Sequence, residues 1–168
     1  DRFHKAGKVD LTGKLEPYTV HQDWNEDVDW RPNNEGIILN NDFYGGNFKG
    51  IAEKMDYIAS LGTTILYLNP IGKAFSNHRY DTGDYKVPDP MLGTMADFTA
   101  MCHTAHARGI KVILDGVYSH TGSDSLYFNK KKTFSGVGAY NSEKSPYYSW
   151  YTFQKWPNQY TSWWGFDT

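Results

Sequence analysis

Two short stretches carry side chains suited to holding a polar ligand: SNHRYDTGDY at 76–85 and DGVYSHTG at 115–122. In the second, Asp115 interrupts an otherwise apolar run near its end. A carboxylate in such a place is tolerated only when it is paired, although a capping or turn role explains it as simply. His120 follows five residues later. Its imidazole can donate to a ligand hydroxyl, but a lone loop histidine is more often a solvated surface residue. In the first stretch Tyr80 offers an aromatic face. Around it Asn77, His78, Arg79 and Asp81 offer polar groups that serve ligand binding or loop-shaping hydrogen bonds equally well.

The elements that must position these loops follow from periodicity. Phe48, Ile51, Met55 and Ile58 recur at three, four and three residues, one apolar face of a helix over 48–61. Asn47 is placed to cap it and Gly62 to end it. TTILYL at 63–68 is apolar on both faces, the pattern of a parallel strand covered on both sides. Met95, Phe98, Met101, Cys102 and Ala105 mark a second helix over 95–108, with Thr94 and Asp97 forming a capping pair and Gly109 closing it. IKVILDGV at 110–117 is the second buried strand. Helix, strand, helix, strand implies parallel strands with a right-handed crossover, in a (β/α)8 barrel or a doubly wound sheet. In either, ligands bind at the C-terminal ends of the strands, where both polar stretches lie. Residues 1–47, 71–93 and 118–168 read as irregular, the last too long to be a simple connection.

Bulk properties narrow the partners. Seventeen Lys and Arg against 19 Asp and Glu give −2, a balance that argues against nucleic acid. No apolar run reaches the ~18 residues of a membrane span, and one cysteine, Cys102, excludes an intrachain disulfide. The aromatic content is high, with 6 Trp, 13 Tyr and 9 Phe, many of them after residue 117. Aromatic faces complement the C–H patches of sugars, yet they also fill cores and interfaces.

DGVYSHTG resembles the first conserved region of the α-amylase superfamily, glycoside hydrolase family 13, in which an aspartate ends the third barrel strand and a histidine follows five later. Further blocks agree in order: DRF at 1–3, FYGGNFKGI at 43–51, LGTTILYLNPI at 61–71 and ARGIKVILD at 107–115. SNHRYDTGDY is similar to the loop that neopullulanase-like and maltogenic-amylase-like members place beside the cleaved sugar. The resemblance implies an α/β fold in which 1–122 is part of a (β/α)8 TIM barrel, strands 2 and 3 with their helices. Residues 123–168 would begin an inserted domain B. It implies an α-glucan ligand such as starch, pullulan or maltodextrin. Tyr80 would stack on the sugar, His120 would bond its hydroxyl, and Asp115 would order the site, with Asn77, His78 and Asp81 on the rim.

The chain departs from the family pattern in three places. Ser119 stands where an asparagine calcium ligand is usual, and a serine hydroxyl is a poorer ligand than an amide carbonyl. Gly45-Gly46-Asn47 replaces a calcium-binding GGD, so Asn47 is the one weak metal candidate and calcium belongs, if anywhere, to the parent enzyme. A retaining glycosidase also needs two carboxyl groups about 5 Å apart, which this family places after its fourth and fifth strands. No such segment occurs here, so the chain, which begins at Asp1 rather than Met, reads as a piece that is inactive alone. Eight strands with helices need about 250 residues.

Rival readings are weaker. GGNFKG lacks the spacing of a dinucleotide fingerprint. His103 and His106 lie three apart on a helix without a third ligand. A non-catalytic carbohydrate-binding module could use Tyr147, Tyr148, Trp150, Tyr151, Trp156, Trp163 and Trp164 as platforms. Truncation itself predicts self-association, because the edges of TTILYL and IKVILD would lack neighbours.

Overall fold

Residues 1–163 are described by a computed structural model; Trp164 lies outside the described residues. Scattered Asn, Asp and Gly keep 1–47 mostly irregular, but the segment is not featureless. It holds a parallel bridge of two two-residue strands, β1 (Thr19–Val20) and β2 (Asp42–Phe43). Phe43 is fully buried. The first residues cross directly over the next helix, where a Cβ on Gly50 would collide with the carbonyl oxygen of His4. Glycine is the residue for so close a backbone approach.

Asn47 caps that helix as expected, its side-chain oxygen accepting the Gly50 N–H at 2.8 Å. The single helix over 48–61 is in fact two: α1 (Phe48–Glu53) and α2 (Met55–Ser60). Lys54 between them sits at φ −99°, ψ 13°, and its N–H is shared between the carbonyls of Gly50 and Ile51 at 3.2 Å each. That dihedral lies in the sparsely populated bridge region, which interrupts the helical ladder. Gly62, at φ +76°, then ends α2.

Strand β3 (Ile65–Leu68) follows. The stretch 71–93, read as a loop, contains an antiparallel hairpin instead, β4 (Gly72–Ala74) with β5 (Thr82–Pro88). Helix α3 (Met95–His106) carries the full capping box between Thr94 and Asp97. Strand β6 (Lys111–Leu114) pairs parallel with β3 in the register Ile65↔Lys111 to Leu68↔Leu114. Phe48, Met55, Ile58, Met101, Ala105 and Ile110 form the core, and Leu66, Leu68 and Val112 pack onto it from one face of the strand pair.

The other face corrects the expectation of burial on both sides. Ile65 is 50% exposed, Tyr67 57% and Ile113 44%. Apart from Lys111, which pairs with Ile65, the side chains on this face are apolar or aromatic, yet no element among the described residues covers it.

After Gly122 the chain builds a second, aromatic core. It includes a 3-10 turn (Tyr148–Trp150) and an antiparallel hairpin, β7 (Phe153–Lys155) with β8 (Gln159–Tyr160), neither foreseen in 118–168. Phe128, 2% exposed, is ringed by Tyr140, Tyr151, Phe153 and Tyr160 at centroid distances of 4.8–6.0 Å.

Candidate functional site

Both polar stretches do leave the C-terminal ends of the parallel pair, and the structure joins them. The Asp115 N–H donates to the carbonyl of Leu68, the last residue of β3, at 2.9 Å. The Tyr80 hydroxyl then donates to Asp115 Oδ2 at 2.6 Å. The carboxylate that interrupted an apolar strand therefore has its partner, and the partner comes from the other loop. The bond also acts on the phenol: hydrogen bonding to Asp115, followed by burial and the carboxylate charge, pushes the Tyr80 pKa up to about 12. Tyr80 is 38% exposed, so the bond to Asp115 leaves part of the side chain accessible.

What holds Tyr80 in place is the β4–β5 connection, tied almost wholly by its own side chains. Asp81 Oδ2 accepts the N–H groups of Phe75 and Ser76 at 3.1 Å each, and its Oδ1 accepts the Ser76 hydroxyl. His78 Nδ1 accepts the Tyr80 N–H at 3.0 Å, which requires that nitrogen to be unprotonated. Burial lowers the His78 pKa against the opposing charge of Asp81, and Arg79 lowers it further. Asn77 donates from Nδ2 to Asp42 Oδ1 at 2.8 Å, fastening the loop to β2. The side chains of Asn77, His78 and Asp81, placed on the ligand rim by resemblance, are thus engaged in shaping the loop.

Arg79 anchors the connection from below. It is 3% exposed and left-handed at φ +63°, and its Nη1 donates to the Asn77 carbonyl at 2.8 Å. Its Nε lies 3.1 Å from Asp89 Oδ2 as an ion pair, off the line a hydrogen bond needs. Lys14 Nζ reaches the same carboxylate, so two cations share one fully buried acid. Burial holds the Lys14 pKa below its ordinary value despite Asp89.

His120 does not join the Tyr80–Asp115 pair by any direct bond. Its ring stacks on Trp163 at 5.3 Å and 18°, and its Nδ1 lies 3.1 Å from the Ser119 hydroxyl. It lines an open cleft of about 510 Å³ whose rings come from Tyr85, Tyr118, Trp150, Tyr151 and Trp163. Tyr85 is the residue that sequence reasoning passed over, although it ends the SNHRYDTGDY stretch. Its hydroxyl bonds the carbonyl of Val117 and lies 2.9 Å from that of His120, so β5 fixes the backbone of the histidine loop. Burial, with Tyr151 next, pushes its pKa up to about 12. Gly122 completes the junction. Its N–H donates to Thr82 at 2.9 Å, and a Cβ there would lie 2.8 Å from the Asp81 carbonyl oxygen.

Asn47 is consumed by structure. Its Oδ1 accepts from Gly50 and from the Ala6 N–H at 3.3 Å, and its Nδ2 donates to the Ala6 carbonyl. Capping accounts for this residue. Among the described residues no three His, Cys, Asp or Glu cluster as a metal site, and His103 and His106 are both exposed on α3. No helix among the described residues is long and apolar enough to cross a membrane.

Parallel strands backed by helices, with an aromatic ring and a carboxylate meeting over their C-terminal ends, define an α/β protein, and in such folds the strand ends are where ligands generally bind. The chain belongs to the α-amylase family: the model of the alpha amylase catalytic domain matches residues 11–168. It is 45% identical to an amylopullulanase of Thermoanaerobacterium saccharolyticum over all of its own length, and spans 14% of that protein. A crystal structure of a Thermus thermophilus protein superposes with a TM-score of 0.73 at 35% identity, covering 98% of this chain and 32% of the other. The type III pullulan hydrolase of Thermococcus kodakarensis gives 0.65 at 39% identity, covering 76% of this chain and 22% of that one. A match to a catalytic domain does not favour a separate carbohydrate-binding module.

Proposed function

We propose that this chain is the sugar-holding part of the catalytic domain of a retaining α-glucan hydrolase acting on starch, pullulan or maltodextrin. Residues 1–122 supply strands 2 and 3 of the (β/α)8 barrel with their helices, and 123–168 open the inserted domain. The observation that carries this reading is the bond from Tyr80 to Asp115, which joins two loops over the ends of β3 and β6. Tyr80 stacks on the sugar ring, Asp115 fixes the tyrosine from below, and His120 bonds a sugar hydroxyl. His120 Nε2 has no protein hydrogen bond among the described residues, which suits that role. Asn77, His78 and Asp81 contribute by holding the loop.

The cleaving carboxylates belong to the parent enzyme and not to these 168 residues. In isolation the chain binds glucan and does not hydrolyse it. The uncovered face of β3 and β6 then has a second consequence, self-association through the exposed Ile65, Tyr67 and Ile113. Electrophoresis through starch- or pullulan-containing gels should retard the chain, while a reducing-end assay on the same preparation should stay at background. Steady release of reducing ends, scaling with protein and surviving repurification, would refute the division of labour. A single monomeric boundary in sedimentation velocity would refute the self-association.

A further inference from the structure

The 510 Å³ cleft beside His120 contains a ring arranged as a platform and left uncovered. Trp150 is 57% exposed although it belongs to an aromatic cluster. One face lies against Tyr127, with centroids 5.1 Å apart and planes 27° apart, and Tyr147 meets it edge-on at 5.1 Å. Tyr127 is itself fixed, its hydroxyl accepting the Tyr85 N–H at 3.1 Å. The indole is therefore held from behind, and its freedom is lost before any ligand arrives. Tyr118, 86% exposed, stands on the same cleft.

The rest of the lining says what class of ligand fits. Ser119, Thr121, Thr152, Thr161 and Ser162 contribute hydroxyls, and among the described residues no Asp, Glu, Lys or Arg lines the cleft. Exposed rings bordered by neutral hydroxyls suit a molecule with flat C–H faces and hydroxyl edges. Among the described residues they offer no carboxylate, ammonium or guanidinium group to pair with an ionic ligand. The volume is within the range of small-ligand sites, roughly 300–1,000 Å³. We propose that Trp150 is a sugar-stacking residue, forming with Tyr118 a second glucan-binding position on the 123–163 side of the cleft, apart from Tyr80. This rests on the proposed function and adds a subsite to it.

Titration calorimetry of the whole chain with maltoheptaose tests it, with cellohexaose as the β-linked control. Trp150→Leu should weaken maltoheptaose binding about tenfold, Trp150→Phe should recover most of the loss, and Tyr118→Ala should weaken it less. Melting curves matching the unmodified chain keep a folding defect from imitating this result. If Trp150→Leu folds and binds as the unmodified chain does while Tyr80→Ala abolishes binding, the second position is refuted and the Tyr80 site stands. If Trp150→Leu abolishes binding and Tyr80→Ala does not, the second position stands and the Tyr80 site is refuted. No saturable maltoheptaose binding by the unmodified chain refutes both.

Discussion

The two halves of this molecule solve the problem of a core in different ways. Residues 1–122 pack aliphatic and methionine side chains of α1, α2 and α3 against one face of the β3–β6 pair and leave the other face bare. Residues 123–163 use hardly any regular structure, yet they close an aromatic core around Phe128 and satisfy their turns with side chains. Asn129 alone donates to the carbonyls of Phe134 and Gly136 at 2.8 Å each and accepts the Phe134 N–H. The first half is regular but incomplete; the second is irregular but closed. Regularity of secondary structure and completeness of burial are thus separate properties, and the cleft beside His120 lies where the two halves meet.

The sharpest test of that contrast is in the cores. Phe128→Ala should cost about 3–5 kcal/mol, the range for removing a buried aromatic ring. Ile65→Thr, on the bare strand face, should change stability by no more than about 0.5 kcal/mol. Urea unfolding followed by fluorescence would measure both, and equal effects would erase the distinction drawn between the halves.

Next in size is the junction itself. Gly122→Ala places a methyl group against the Asp81 carbonyl and should cost about 1–3 kcal/mol as an overpacked contact. The loss should appear as loosened tertiary structure in near-ultraviolet circular dichroism, with the helical far-ultraviolet signal kept. A neutral Gly122→Ala would mean that the loops are not pressed together there.

How much of this was legible beforehand depended on distance along the chain. The caps at Asn47, Thr94 and Asp97 and the left-handed Gly62 and Gly109 were readable because each satisfies backbone groups within a few residues. The β4–β5 hairpin was not readable. Its strands are polar, β4 is only three residues long, and β5 is held by distant partners such as the Gly122 N–H on Thr82 and the Leu126 N–H on Gly83. The bare face of β3 was misread because its apolar pattern reports what should cover a strand, not what does. In the site, Tyr80 and Asp115 were each visible, while their mutual bond and the bracing of the His120 loop by Tyr85 depend on folding across more than thirty residues.

Smaller effects separate the loops further. Tyr80→Phe removes only the hydroxyl that reaches Asp115. Because the pair is half exposed, the loss should be about 1 kcal/mol, below the usual range for bonds to charged groups. Thermal melting at neutral pH would register it. Two histidines should show opposite pH dependence. His21 loses some affinity for protons through burial, but hydrogen bonds with Asp42 and Glu26 outweigh this and raise its pKa above the ordinary 6.5. Its contribution to stability is full below pH 6.5 and fades as pH rises through the raised value. The lowered pKa of His78 makes the fold lose stability as pH falls below 6.5. Denaturation midpoints of His21→Gln and His78→Gln across pH 5 to 8 should diverge from the unmodified chain in opposite directions, and parallel profiles would contradict both assignments.

In the proposed function the two loops hold a sugar between them through Tyr80. Calorimetric titration of the unmodified chain and of Tyr80→Ala with maltotriose tests it most directly. The unmodified chain should bind weakly and saturably, and removing the ring should cost at least tenfold, about 1.4 kcal/mol. Equal affinity in the two proteins would contradict it.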